Sequence, residues 1–510
     1  MNTDTVNSVK VRMYRHGFGD CFLLSFFHAQ KRIFSMLVDC GIKHNTRSQD
    51  VPIEDVIEDL KTTLTPGDGG KPLINVLVVT HEHWDHVSFF HPTTSPDFFS
   101  DFDIEQIWLA WTEDPDDEEA VMINSRLREG AAALQVAVMR LQEAEAKEEA
   151  QFRGFGFSSS VAAARKRFNK ALDDVLGFYG VAAQKKAKTS PSGIKYKPNG
   201  KISVQTEVAM THVISLGKKN GVKYLQPGTK VDKRRLPTGV NVYVLGPPRS
   251  GIINKSNPSS GPAHETYLGI DHCGLSGFID GVLQMGAQPK SANNVEGPFG
   301  NEVGITAKAA ETDPYFAQTY FAKNESYRQI EHTWLDVVGQ FSLQLDGAIN
   351  NTSLVLAIEL EESGKVLLFP GDAQVGSWMS WHEYQWKVKR GKRTETITAE
   401  ELLRNTVLYK VSHHGSHNAT VKDKGLELMT HPELVAMIPE KEESYNGILY
   451  QPLLDRLKQL CKGRVLVSAD TNLPPERILK KRPSQLSSAE WKAFKEDLTV
   501  NRLYVEATVR

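Results

Sequence analysis

The chain's 510 residues allow several domains at ~150 residues each, and its 60 Lys and Arg nearly cancel its 62 Asp and Glu. This balance excludes a global field that would draw the chain to nucleic acid or to an anionic membrane, so a phosphate-bearing substrate would have to be held locally. Four sparse cysteines without C-x-x-C spacing point to free thiols in a reducing compartment, the cytoplasm; no segment offers the ~18 consecutive apolar residues of a membrane span or the apolar core of a signal peptide.

Lys10 to Tyr14 and Cys21 to Phe27 read as strands around the glycine-bearing turn Arg15-His-Gly-Phe-Gly-Asp20, and Ser35 to Gly41 as a third strand ending in Asp39. Ile53, Val56, Ile57 and Leu60 recur at helical spacing, and Pro66-Gly-Asp-Gly-Gly70 breaks that helix. Next comes Asn75-Val-Leu-Val-Val-Thr-His-Glu-His-Trp-Asp-His86. Val76 to Val79 suits a strand buried on both faces. Past its end, His81 and His83 are two apart and fall on one side of an extended backbone. Asp85 and His86 can address a second position if the chain turns there. Two such pairs of N and O donors fit two divalent ions, roughly 3.5–4 Å apart in hydrolytic sites. A polar loop after a core strand is the bland alternative, and three histidines with an aspartate in six residues weigh against it. Trp84 reads as packing beside the site, and Phe89 and Phe90 as core.

Ile107 to Trp111 is the next apolar run. Residues 113–200 change character: they are rich in helix formers, with Leu127, Ala131, Leu134, Val138 and Leu141 on one face, and end in the basic loop Lys185 to Lys201. They read as a helical insertion. Strand character returns over 201–250. Residues 251–340 form a second, loop-rich insertion, with helical spacing resuming from Tyr315 to Gln344. Over 341–475, Asn350 to Leu360 and Gly364 to Phe369 read as a hairpin ending in Gly371-Asp372, Thr406 to Ser412 runs into His413-His-Gly-Ser-His417, and a strand, helix and strand follow. Residues 476–510 read as a polar tail with some helical character.

Three core strands thus end in His-x-His-x-Asp-His, Gly-Asp and His-His-Gly-Ser. In this order they resemble the sequential motifs of the metallo-β-lactamase superfamily. With Gly19-Asp-Cys-Phe-Leu-Leu, Asn350-Asn-Thr-Ser-Leu-Val-Leu and Phe369-Pro-Gly-Asp-Ala, the chain is most similar to the soluble metallo-β-lactamase-like domain of the ComEC competence proteins. The resemblance spans residues 10–112, 222–250 and 340–470. It implies an α/β fold, a four-layer αββα sandwich with residues 1–112, 201–250 and 341–475 as its core. It does not extend to the membrane channel of those proteins, so neither DNA uptake nor a membrane is implied.

Carried over residue by residue, the resemblance assigns His81 and His83 to one metal and Asp85 and His86 to the other, with Asp372 bridging and His413 or His414 closing the second site. The neighbour of the ligating histidine, or His417, is then available to protonate a leaving group. Asp39 is expected to hydrogen-bond the ligand loop. The superfamily often has a further histidine before the Gly-Asp motif; His212, His264 and His272 are the candidates, each also accounted for by a structural role. The implied cofactor is two Zn2+ ions, with Mn2+ as the other choice. The implied activity is hydrolysis by a metal-bound hydroxide, with Asp85 and His414 as catalytic residues, on phosphoesters such as a nucleic acid or nucleotide. Lys410, Arg249 and the Lys185 to Lys201 loop are the candidate phosphate contacts. Acyl hydrolysis, as in lactonases, thioesterases or β-lactamases, is the alternative. A metal-binding scaffold, with the helical insertion mediating oligomerisation or partner binding, is a third.

Overall fold

The computed structural model describes residues 4–43, 46–48, 50–92, 98–127, 177–178, 195–196, 202–203, 205–217, 221–249, 307–322, 346–390, 393–418, 420–441, 449–469 and 475–510. The chain divides into two compact units, one of Met1–Leu127, Leu176–Asp271 and Asp346–Arg510, the other of Arg128–Val175 and His272–Leu345. Most of the expected helical insertion, all of the loop-rich stretch 251–306, His264 and His272 lie outside the described residues. So does the basic loop, apart from short pieces of backbone. In the second unit, helices Ala307–Thr312 and Pro314–Thr319 meet at Asp313, whose carboxylate accepts from Tyr315 N and Phe316 N and caps the second helix.

The first unit is mixed α/β. Its strands in chain order are β1 (Ser8–Tyr14), β2 (Cys21–His28), β3 (Lys31–Cys40), β4 (Leu73–Val78), β5 (Asp103–Ala110), the two-residue β6 (Lys195–Tyr196) and β7 (Ile202–Ser203), β8 (Val222–Leu225) and β9 (Val240–Gly246). They continue with β10 (Val355–Leu360), β11 (Val366–Phe369), β12 (Gln385–Arg390), β13 (Arg393–Thr398), β14 (Thr406–Lys410), β15 (Val435–Lys441), β16 (Val465–Ala469), β17 (Leu498–Val500) and β18 (Tyr504–Val509). One sheet has eight strands in the order β17-β18-β1-β2-β3-β4-β5-β8, and another has six in the order β16-β15-β14-β11-β10-β9. Each is antiparallel at one end and parallel from β3 to β8 or from β11 to β16.

Alternation along the strands builds the core. Val9, Val11, Phe22, Leu24, Met36, Val38, Val76 and Val78 of the large sheet share one buried cluster with Val242, Val244, Leu356, Ile358, Leu367, Phe369, Leu408 and Met437 of the other. Phe22 and Phe369 meet edge to face, with ring centroids 5.7 Å apart. The opposite faces pack on helices. Leu37, Ile74 and Leu77 meet Val56, Ile57 and Leu60 of helix Ile53–Leu64, while Tyr243, Ala357, Leu368 and Ile438 meet helices Val375–Ser380, Ala399–Arg404 and Gln451–Leu460. Burying such faces at ~25 cal/mol per Å² of apolar surface holds helices to sheets.

The expected polar tail is different. Its last residues form β17 and β18, and β18 pairs with β1 in register Val9↔Val509 through Tyr14↔Tyr504. Val505, Ala507 and Val509 are buried while Glu506 pairs with Arg12, a period-two pattern that the polar composition of the stretch hides.

Candidate metal centre

The centre is built at the carboxyl ends of parallel strands, where an α/β sheet leaves room for a ligand. After β4, the segment Val79–His83 leads into the single helical turn Trp84–Val87, which carries Asp85 and His86. Asp372 follows β11, and Ser412–Gly415 follows β14. His413 and His414 both have left-handed backbone, at φ 44° and 51°. Non-glycine residues hold that conformation only where the surroundings impose it. It sends the two rings different ways.

His414 points inward. Its Nε2 is 3.0 Å from Asp85 Oδ2 and 3.6 Å from Asp372 Oδ2, and its Nδ1 donates to Pro439 O at 2.6 Å. His86 Nε2 lies 3.2 Å from Asp372 Oδ2 and 3.8 Å from Asp85 Oδ2. The ligand atoms of Asp85, His86, Asp372 and His414 all lie within 4.8 Å of one another, and all four residues are buried. His86 Nε2, Asp85 Oδ1 and Asp372 Oδ2 are buried without a hydrogen bond, as is His81 Nε2 beside them. Imidazole nitrogens and carboxylate oxygens converging in a buried space are a donor set that fits a metal ion. This buried group can hold a metal ion.

His413 points elsewhere. Its Nδ1 is 2.7 Å from Ser416 Oγ, and its Nε2 is 3.3 Å from the Asn350 amide nitrogen. Of the adjacent histidines, His414 is the one that joins Asp85, His86 and Asp372. His417 is exposed and packs against Tyr450, with ring centroids 6.4 Å apart. His81 and His83 sit edge to face with centroids 4.8 Å apart, and His81 is 4.2 Å from the His86 ring. His212 lies on helix Gln205–Leu216 and bonds Ser215, outside this group.

A ring of fixed partners surrounds these atoms. Asp39, itself at φ 54°, accepts from Thr80 N and Thr80 Oγ1 at 2.7 Å each, and from His86 Nδ1 at 2.9 Å. The proton on His86 is thereby kept on Nδ1 and Nε2 is left to the site. Asp20 and Lys410 were not expected here in these roles. Lys410 Nζ is 2.6 Å from Asp20 Oδ2, 3.1 Å from Asp372 Oδ1 and 2.9 Å from Gly371 O. With His413 N also donating to Asp372 Oδ1 at 3.2 Å, one oxygen of Asp372 is tied down and the other faces the ligands. Asp20, Asp39 and His86 also converge, but the Lys410 ammonium and the His86 Nδ1 proton already supply the positive charge there.

The charges are mutually dependent. Burial pushes the His86 imidazolium down, but Asp372, Asp20, Asp85 and Asp39 outweigh it and hold its pKa well above the ordinary histidine value; His414 is raised in the same way, chiefly by Asp372 and Asp85 against burial. Burial pushes Asp372 up, yet Lys410, His86 and His414 hold it well below the usual carboxylate range. Lys410 is raised against burial by Asp20 and Asp372. His83 and His413 are lowered to about 4 by burial. Both rings are therefore neutral at pH 7.

Two candidate phosphate contacts are engaged by carboxylates. Lys410 is the buried partner of Asp20 and Asp372, and Arg249 pairs with Asp117 and Glu119 while stacking over Trp111 at 4.0 Å. Trp84 is 2 % exposed and packs on His91, which accords with packing and not with substrate stacking. Phe178, from within the stretch read as an insertion, lies 5.4 Å from the His83 ring. The wall is completed by Phe18, 4.2 Å from the His414 ring. Cys21 and Cys40 are buried free thiols with Sγ atoms 3.3 Å apart across β2 and β3.

Comparison with protein-family models and with curated proteins finds no match for this chain. No helix among the described residues is long and apolar enough to cross a membrane.

Proposed function

We propose that the chain is a metal-dependent hydrolase of the metallo-β-lactamase superfamily, with the four-layer αββα sandwich of that superfamily, acting on phosphoesters. The observation that carries this reading is the convergence of Asp85, His86, Asp372 and His414 from three strand ends within 4.8 Å, all buried. The sandwich is supported by two sheets that share a core and pack helices on their other faces. Divalent ions held here would supply water of pKa lowered towards ~7 and polarise the scissile group.

The chain's own residues prepare the site for them. His81 and His83 would hold one ion and Asp85, His86 and His414 the other, with Asp372 as a further ligand of the centre. Asp39 fixes the His86 tautomer, Lys410 fixes Asp372, and Phe18 and Phe178 keep bulk water from the ligands. A second reading, hydrolysis of an acyl bond, is favoured by the engagement of Lys410 and Arg249 with carboxylates, which withdraws both from a phosphate.

The test is metal content together with hydrolysis of bis-p-nitrophenyl phosphate and of a p-nitrophenyl ester, by wild type and Asp372→Ala. Metal-dependent diester cleavage lost in the variant supports the proposal. Ester cleavage alone selects the acyl reading, and bound metal without either activity indicates a binding scaffold.

A further inference from the structure

Two thiols are packed with the ligand segment without belonging to it. Cys21 opens β2 and Cys40 closes β3, and the two are partners across that antiparallel pair. Their Sγ atoms are 3.3 Å apart, and the residues are 1 % and 0 % exposed. They share a buried cluster with Val79 and Val87, which bracket the ligand segment. Each thiol also follows a carboxylate that orients the centre. Asp20 N donates to Asp85 O at 2.9 Å and its Oδ2 is 2.6 Å from Lys410 Nζ, while Asp39 accepts from Thr80 and His86.

Residues paired across an antiparallel ladder have Cα atoms about 4.5 or 5.5 Å apart, and both spacings lie in the range that a disulfide spans. Bonded sulfurs stand ~2.0 Å apart, so closure draws these two together by roughly 1.3 Å. In a close-packed interior neither side chain makes that approach alone, and the backbone at Asp20 and Asp39 shares it. Asp39 already holds a left-handed backbone at φ 54°, and Gly41, next after Cys40, has no clearance from the backbone of Asp85 and His86. A shift there is passed to the ligand turn.

We propose that Cys21 and Cys40 are an oxidative modification site, closed to a disulfide by a hydroperoxide, and that the cross-link and bound metal oppose each other. The second half rests on the metal-centre reading above; the first does not. One sulfur attacks the peroxide, breaks its O–O bond and becomes a sulfenic acid as water leaves. The other sulfur then displaces the hydroxyl, which departs as a second water with the thiol proton. Two thiols and one hydrogen peroxide thus give one disulfide and two waters, the sulfurs losing the two electrons that the peroxide gains. Burial, with Cys40, Asp39 and Asp20 adding to it, pushes the Cys21 thiol well above its ordinary value. The pair is therefore protonated at neutral pH and the first step is slow, so sustained peroxide closes it and a brief pulse does not.

The experiment uses the full chain, stripped with chelator and held in hydrogen peroxide for hours. Denaturation and alkylation should then find two fewer free thiols, and peptide mass mapping should place the cross-link between Cys21 and Cys40. Calorimetric titration with Mn2+ is expected to show at least about tenfold weaker binding in the oxidised chain, recovered after dithiothreitol and desalting. Reciprocally, saturating Mn2+ should raise the reduction potential of the pair by ~30 mV for each factor of ten. Peroxide-treated Cys21→Ala should keep its Mn2+ affinity, since it cannot form the cross-link. Absence of the cross-link, or a sulfinic acid on either residue, overturns the modification site. A cross-linked chain with unchanged affinity, or an equal loss in Cys21→Ala, overturns the opposition to metal. A reduced wild type that binds no Mn2+ overturns the metal-centre reading, while the thiol count and the peptide map still decide the modification site. Should Cys21→Ala lack a melting transition, the wild type carries the control: weak binding that persists after dithiothreitol overturns the opposition.

Discussion

Lys410 shows how much of the centre's balance rests on one side chain. It is 1 % exposed and neutralises Asp20 and Asp372 together. Breaking a buried pair by removing one partner costs about 3–5 kcal/mol, because the charge left behind is uncompensated. Lys410→Met should therefore lower the denaturant midpoint by that equivalent, and added Mn2+ should recover part of it by taking over the charge of Asp372. Asp39→Ala removes the acceptor of the His86 Nδ1 proton and is expected to weaken metal binding by about 10–100-fold in titration calorimetry, without loss of fold. The raised pKa values of His86 and His414 have a definite sign. Each histidine must lose its proton to ligate, so metal affinity rises with pH through and above the ordinary histidine range and falls below it. Calorimetry in buffers of different ionisation enthalpy should register protons released on binding. At this scale His81, His83, Asp85 and His86 are legible in the sequence because they are packed into six residues. Lys410 is not, since nothing beside it in the chain announces the aspartates it meets 390 positions away in Asp20 or 38 away in Asp372.

Among elements, the junction of β3 with the ligand turn leaves no room for a side chain. A methyl group on Gly41 would come within 2.5 Å of the backbone of Asp85 and His86. Gly41→Ala must therefore displace the turn that carries Asp85 and His86, and we expect a variant that keeps its secondary structure by circular dichroism but loses the metal binding to which those two residues contribute. The strand ends themselves can be read from sequence, because an apolar run that stops at His-x-His or Gly-Asp places those residues at a sheet's edge whatever the partner strands are. What cannot be read is which residue meets which. Asp85 and His414 are 329 positions apart, and the choice between His413 and His414 depends on two consecutive left-handed residues.

For the molecule as a whole, the large sheet is closed by the last strands of the sequence. Arg12 of β1 pairs with Glu506 of β18 and with Asp59 and stacks on Tyr504 at 3.8 Å, so the outer edge of β1 is both zipped and charge-paired. Removing residues 498–510 would expose that edge as a template for other chains. Such a truncation should elute as aggregate in size-exclusion chromatography even though every metal ligand is retained. The polar composition of this stretch concealed its alternation, and only pairing with β1 makes the alternation meaningful.

That pairing also sets an order of events during synthesis. β1 leaves the ribosome 500 residues ahead of its partner across the register Val9↔Val509. Chain entropy alone penalises such a distant closure only logarithmically, but time does not. At ~5–20 residues per second, the nascent protein carries an open, apolar sheet border for roughly half a minute or more, which makes the emerging chain, and not the finished protein, the natural client of a chaperone that recognises unpaired strands.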